Sequence, residues 1–166
     1  HKTRAVESQK IDDELRRTRR SERRYRRLFE ATKNGVLIID PSTRTILDVN
    51  PFAMELLRRS REELIDLDLV ALDLLKPEMS DAAFEELQEK GCIQFPEVTL
   101  ESETGERMIL ETTAILYHEG GDKLVQCNIR DITARRKAEE ALQRICDQLR
   151  FMAESMPQKI FTADPS

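Results

Sequence analysis

The chain lacks most of what would mark an enzyme, a secreted protein or a membrane span. No nucleophile–base pair, nucleotide-binding loop or metal cluster can be assembled from its residues, so no catalytic residue and no metal ligand is assigned. The three cysteines, Cys92, Cys127 and Cys146, have no metal-ligand spacing, and one stays unpaired in any monomer. That usage fits a reducing cytosol, so a cytoplasmic location is expected. No run approaches the roughly 18 apolar residues that cross a bilayer, and no secretory signal is visible. Membrane contact is therefore not expected within this stretch, although the parent protein can still be membrane-anchored.

Charge is what the chain has in quantity. Charged residues make up 36% of the 166 and apolar residues 39%, a balance that suits one domain with exposed helical extensions. Residues 1–27 carry eleven Lys/Arg against five Asp/Glu, so the net charge of −5 conceals a basic arm on an acidic body. Such an arm can bind nucleic acid or a membrane surface. A solvated helix of mixed charge is the preferred reading, because no aromatic residues alternate with the basic ones. The acidic remainder offers no DNA-reading element, so no nucleic-acid partner is expected.

Residues 2–33 contain neither Gly nor Pro and read as one long helix. Ile11, Thr18 and Tyr25 alternate with Leu15, Glu22 and Phe29 at heptad spacing, a weak seam with Ile11, Leu15 and Tyr25 as its apolar members. After Asn34-Gly35 the pattern becomes a hairpin, Val36–Ile39 and Thr45–Val49 about a turn at Asp40–Thr43. Asn50 stands where a helix N-cap belongs, with Pro51 at the first helical position. Ser60 and Glu63 form a capping box for a second short helix. Residues 66–76 read as short helical turns, and a helix over about 81–90 ends at Gly91. Strands at 93–101, 107–117 and 123–130 follow, joined by turns at 103–106 and 119–122. The order predicts an α+β fold: a five-stranded antiparallel sheet with helices on one face, flanked by long N- and C-terminal helices.

Strand alternation sends Leu37, Ile39, Leu47, Val49, Val98, Leu100, Leu110, Thr112, Val125, Cys127 and Ile129 toward the helices, as core and candidate pocket lining. Val36, Ile38, Ile109, Ile115 and Leu124 fall on the other face, too apolar to be left in water. The N-terminal helix or a partner chain is expected to cover them. Beyond the last strand, Ala138, Ile145 and Met152 occupy one heptad position and Leu142, Leu149 and Met156 the other, a seam far cleaner than the first. Thr133 is placed to N-cap this helix with its hydroxyl, and Asp131 lies near the positive helix end. Asp131, Ile132 and Thr133 thus form the hinge between sheet and heptad helix.

Five segments in order carry a family resemblance: Phe29-Glu30-Ala31, Gly35–Asp40, Val49-Asn50-Pro51-Phe52-Ala53, Ser60–Ile65 and above all Arg130–Leu142. Over residues 25–143 the chain resembles the PAS domain, with its PAC motif, of bacterial and archaeal sensors. The resemblance implies a PAS fold and a signal-sensing, homodimeric module. It would relay conformational change through Asp131-Ile132-Thr133 to a coiled-coil helix. The implied parent is a multi-PAS sensor, foremost a histidine kinase, with a diguanylate cyclase as the alternative and a ligand-free dimerisation scaffold as another. Domain limits follow: a signalling helix over 1–24, the PAS domain over 25–133, an output helix over 134–156, and at 157–166 the start of a following PAS domain. That start is suggested by Arg150–Glu154 and Asp164-Pro165-Ser166, which loosely repeat Arg27–Ala31 and Asp40-Pro41-Ser42. A following PAS domain and a kinase domain of the same chain are the expected partners.

Cofactors within the family place further requirements. Haem usually takes a His on the helix before the last three strands, and residues 78–91 contain none; Cys92 is the remaining thiolate candidate. Flavin photochemistry needs a Cys that Asp68–Asp73 lacks, and the strand positions near Leu100 and Leu110 are apolar. Neither group is expected, the cofactor stays unassigned, and a small apolar ligand remains open. His118-Glu119 is similar to a phospho-acceptor motif, but Gly120-Gly121 puts it in a hairpin and not on a helix. Arg58 and Asp66 stand where many PAS domains have Gly, which implies a different loop path.

Overall fold

The computed structural model describes residues 2–156. Its elements are α1 (Lys2–Ala31), β1 (Gly35–Ile39), β2 (Ile46–Val49), α2 (Pro51–Leu57), α3 (Arg61–Leu64), α4 (Pro77–Lys90), β3 (Cys92–Gln94), β4 (Val98–Glu101), β5 (Arg107–Glu119), β6 (Asp122–Asp131) and α5 (Thr133–Ser155). All strand pairs are antiparallel, in the order β2-β1-β6-β5-β3, and β4 also pairs with β5. The result is the expected α+β fold of a PAS domain, with long helices at both ends.

The edge strand expected at 93–101 is two strands, which makes six in five positions. Pro96 is the cause: it has no N–H to give a ladder, so pairing lapses between Gln94 and Val98. Phe95 keeps one bond, its amide donating to the Thr112 carbonyl at 2.9 Å. The β5–β6 hairpin closes on Gly120 and Gly121, φ 57° and 89°, which only a two-residue turn of positive φ requires.

Alternation fails at one predicted pocket residue. Between β1 and β2, Ile38 pairs with Asp48 but Ile39 pairs with Ile46, so Leu47 is the extra residue of a bulge. Ile46 takes the inward place at 0% exposure and Leu47 turns outward at 42%. The stretch 66–76 forms turns without regular helix, yet it sends Leu69, Leu72, Leu74 and Leu75 into the core. The next helix begins earlier than the pattern suggests, because Pro77 fits the first helical position.

Arg58 (φ 53°) and Asp66 (φ 68°) both adopt the left-handed conformation that glycine favours. The chain therefore turns as glycine would turn it, and the side chains carry the strain. One cluster joins the helix-facing side of the sheet to Ala53, Leu64, Phe84 and Leu87 of the helices. On the opposite face Val36 and Ile38 of β1 are buried, Ile109 and Leu124 half-buried, and Ile115 exposed. Tyr25 of α1 stands beside Tyr117 of β5 on this face, but α1 buries no residue of its own.

Candidate signal-transfer site

β6 ends at Asp131, opposite Leu110 of β5. Ile132 follows at 2% exposure, its amide donating to the Ile109 carbonyl at 2.9 Å. This buried residue is the N-cap of α5, and it contributes no side-chain cap. The capping expected of Thr133 falls to Asp131, whose Oδ1 accepts the Thr133 amide at 2.9 Å. A carboxylate there also faces the positive helix end. Thr133 is inside the helix, so its hydroxyl turns back to the sheet. It accepts the Ile109 amide at 2.9 Å and donates to Asp131. Asp131, Thr133 and Ile109 therefore form one hydrogen-bonded chain from helix cap to strand.

Two arginines that pattern reading did not single out extend the junction. Arg135 lies 3.7 Å from Glu111 of β5, and Arg136 pairs with Glu97 between β3 and β4. Hydrogen bonding and the charge of Glu97 push Arg136 further above its ordinary range. These partners lie far apart in sequence, and no periodicity joins them. A groove of about 740 Å³ runs beneath, lined by Leu57, Leu100, Met108, Asp131, Thr133 and Lys137 among others.

Behind the junction the α5 seam is open. Leu142, Ile145, Leu149 and Met152 are each more than half exposed, and Ala138 is exposed too. On α1, Ile11, Leu15 and Tyr25 are likewise exposed. Both sets of residues lie on helices and are exposed among the described residues.

Of the predicted pocket lining, Leu37, Ile39, Leu110, Val125, Cys127 and Ile129 are 0% exposed, with Val49 and Thr112 close behind. Val98 and Leu100 are half-buried at the sheet edge. The Thr112 hydroxyl is buried without a partner among the described residues. Burial pushes the Cys127 thiol up to about 12. Cys92 is exposed on β3, and His118 pairs with Lys123 beside the β5–β6 turn. Asn50 caps α2 as predicted, its Oδ1 accepting the Ala53 amide at 2.9 Å.

Residues 23–90 match a PAS domain family model. The fold is that of a PAS domain. The PAS domain of an HTR-like protein from Haloarcula marismortui superposes with a TM-score of 0.60 at 20% identity, over 73% of this chain and 99% of that one. A PAS domain from a two-component sensor histidine kinase gives 0.53 at 16% identity, over 69% and 98%. At these identities the likeness is one of fold. In sequence, the chain is 30% identical over 140 residues to the methyl sulfide methyltransferase-associated sensor of Methanosarcina acetivorans. It aligns over 82% of its own length and spans only 13% of that protein. Among the described residues, no helix is long and apolar enough to cross a membrane. The expected start of a following PAS domain at 157–166 lies outside the described residues.

Proposed function

We propose that this PAS domain is a signal-sensing, homodimeric module that relays a change in its sheet, through Asp131-Ile132-Thr133, to the pairing of α5. The observation that carries this reading is the position of the heptad seam. It begins about one turn beyond a helix start hydrogen-bonded into β5, which supports a path from strand to seam. A strict heptad seam is self-complementary, which makes a second copy of α5 its natural occupant. Shifting such a pairing needs only a few kcal/mol of bias. The output is a following PAS or histidine kinase domain, and any phosphotransfer belongs to that part of the parent. The relative named as a sensor supports the sensing role; a diguanylate cyclase output is the alternative.

Cysteine crosslinking tests the dimer. In protein with Cys92→Ser and Cys146→Ser, Ile145→Cys on the seam should form a disulfide-linked dimer under mild oxidation, and Arg144→Cys outside it should not. A monomer by light scattering at micromolar concentration would overturn the reading. In the intact parent, Asp131→Ala with Thr133→Ala should abolish switching, and full switching would count against the relay.

A second reading, a ligand-free spacer that only holds its neighbours in register, draws support from the single buried cluster that joins sheet and helices. Native mass spectrometry separates the two, since a bound small molecule in purified protein would exclude the spacer.

A further inference from the structure

Asn50 is the most completely used polar side chain in the domain. It is 0% exposed, and both edges of its amide are engaged. Oδ1 accepts the amides of Val36 at 2.8 Å and Ala53 at 2.9 Å. Nδ2 donates to the carbonyls of Phe29 at 3.0 Å and Asn34 at 2.9 Å. The last carbonyls of a helix and its first amides have no intrahelical partners. Phe29 lies in the last turn of α1 and Ala53 in the first turn of α2, so one side chain caps two helices from opposite ends. An amide is suited to this, because it presents donors on one side and an acceptor on the other.

The surroundings give that contact mechanical meaning. α1 buries no residue, and a cleft of about 470 Å³ separates its Tyr25 and Phe29 from Asp48 and Met54. The far side of the joint is rigid by contrast. A Cβ on Gly35 would lie 3.3 Å from the Ala53 Cα, so α2 is seated directly on β1. Val36 pairs with Asn128 of β6, and β6 runs into Asp131.

We propose that Asn50 is a positioning residue that joins the input helix to the sheet, so that movement of α1 reaches β1, β6 and the start of α5 through this amide. The inference rests on the relay reading and adds its entry point.

Hydrogen exchange on the full chain tests it. Asn50→Ser keeps an acceptor for the Ala53 amide but is too short to reach Phe29. Protection over residues 24–34 should fall about tenfold, protection of 51–57 should hold, and that of 133–137 should change. A second variant, Arg26→Pro, breaks α1 with Asn50 intact and should produce the same change at 133–137. Equal loss of protection everywhere in Asn50→Ser would reduce Asn50 to a structural cap and overturn the proposal. So would unchanged protection at 133–137 in either variant. The crosslinking result at Ile145 is independent of these outcomes, so failure of the joint and failure of the relay are told apart.

Discussion

The Arg136 guanidinium lies across the Glu97 carboxylate, with Nε donating to Oε2 at 3.0 Å and Nη2 to the other oxygen. Two parallel bonds fix a plane as well as a distance, so this pair adds an oriented tie between α5 and the segment joining β3 to β4.

Exposed pairs contribute little to stability and are screened by salt. Glu97→Gln should therefore leave the melting temperature nearly unchanged while loosening α5. Spin labels placed on Thr99→Cys and Arg150→Cys, with the native cysteines replaced, should show a broader distance distribution in the variant. Raised salt should move the parent protein toward the same distribution.

Thr133 and Ile109 make a sharper test, because the amide left behind is part-buried. Thr133→Val keeps the shape and removes the hydroxyl, and should lower the unfolding free energy by about 1–2 kcal/mol. Thr133→Ser keeps both bonds and should lose far less. Urea denaturation of the two variants side by side measures the difference.

Left-handed backbone at Arg58 predicts a gain. Arg58→Gly relieves the Cβ strain and should stabilise the fold by roughly 0.5–1 kcal/mol. Its ion pair with Glu106 is exposed and gives little back. Asp66→Gly should gain less, since Asp tolerates this conformation better than Arg does. Thermal and urea unfolding of both variants check the order.

Alkaline pH should destabilise the domain through half-buried Tyr117 and buried Cys127. Desolvation, followed by the Tyr25 phenol and the Glu119 charge, raises Tyr117 from 10.0 to about 12. Burial alone raises Cys127 from 9.0 to about 12. The folded state thus holds these protons more tightly than the unfolded state does. Their stabilisation is complete below the unfolded values and is lost as pH rises from there to about 12. Tyr117→Phe should flatten the upper part of that decline in urea midpoints measured against pH. A thiol reagent should modify exposed Cys92 and Cys146 and spare Cys127 until the protein unfolds.

What could be read in advance was local. The Asn50-Pro51 helix start and the Gly120-Gly121 turn depend on adjacent residues, and both stand where the sequence puts them. The α5 heptad was equally plain, because one helix face needs no tertiary information. Leu47 was misplaced because a bulge is decided by how β2 meets β1. Thr133 was misplaced because two amides compete for its hydroxyl, and the one on Ile109 lies 24 residues away. The Arg136–Glu97 pair spans 39 residues and has no pattern to betray it. Only the broken edge strand had a visible signal, Pro96.

β5 carries both terminal helices: Ile109 holds Thr133 at one end, and Tyr117 meets Tyr25 near the other. Coupling free energy between two such sites is reciprocal. Whatever bias the placement of α1 exerts on the pairing of α5, the pairing of α5 exerts equally on α1. The domain thus has no built-in arrow, and which helix commands and which obeys is set by the segments attached to each.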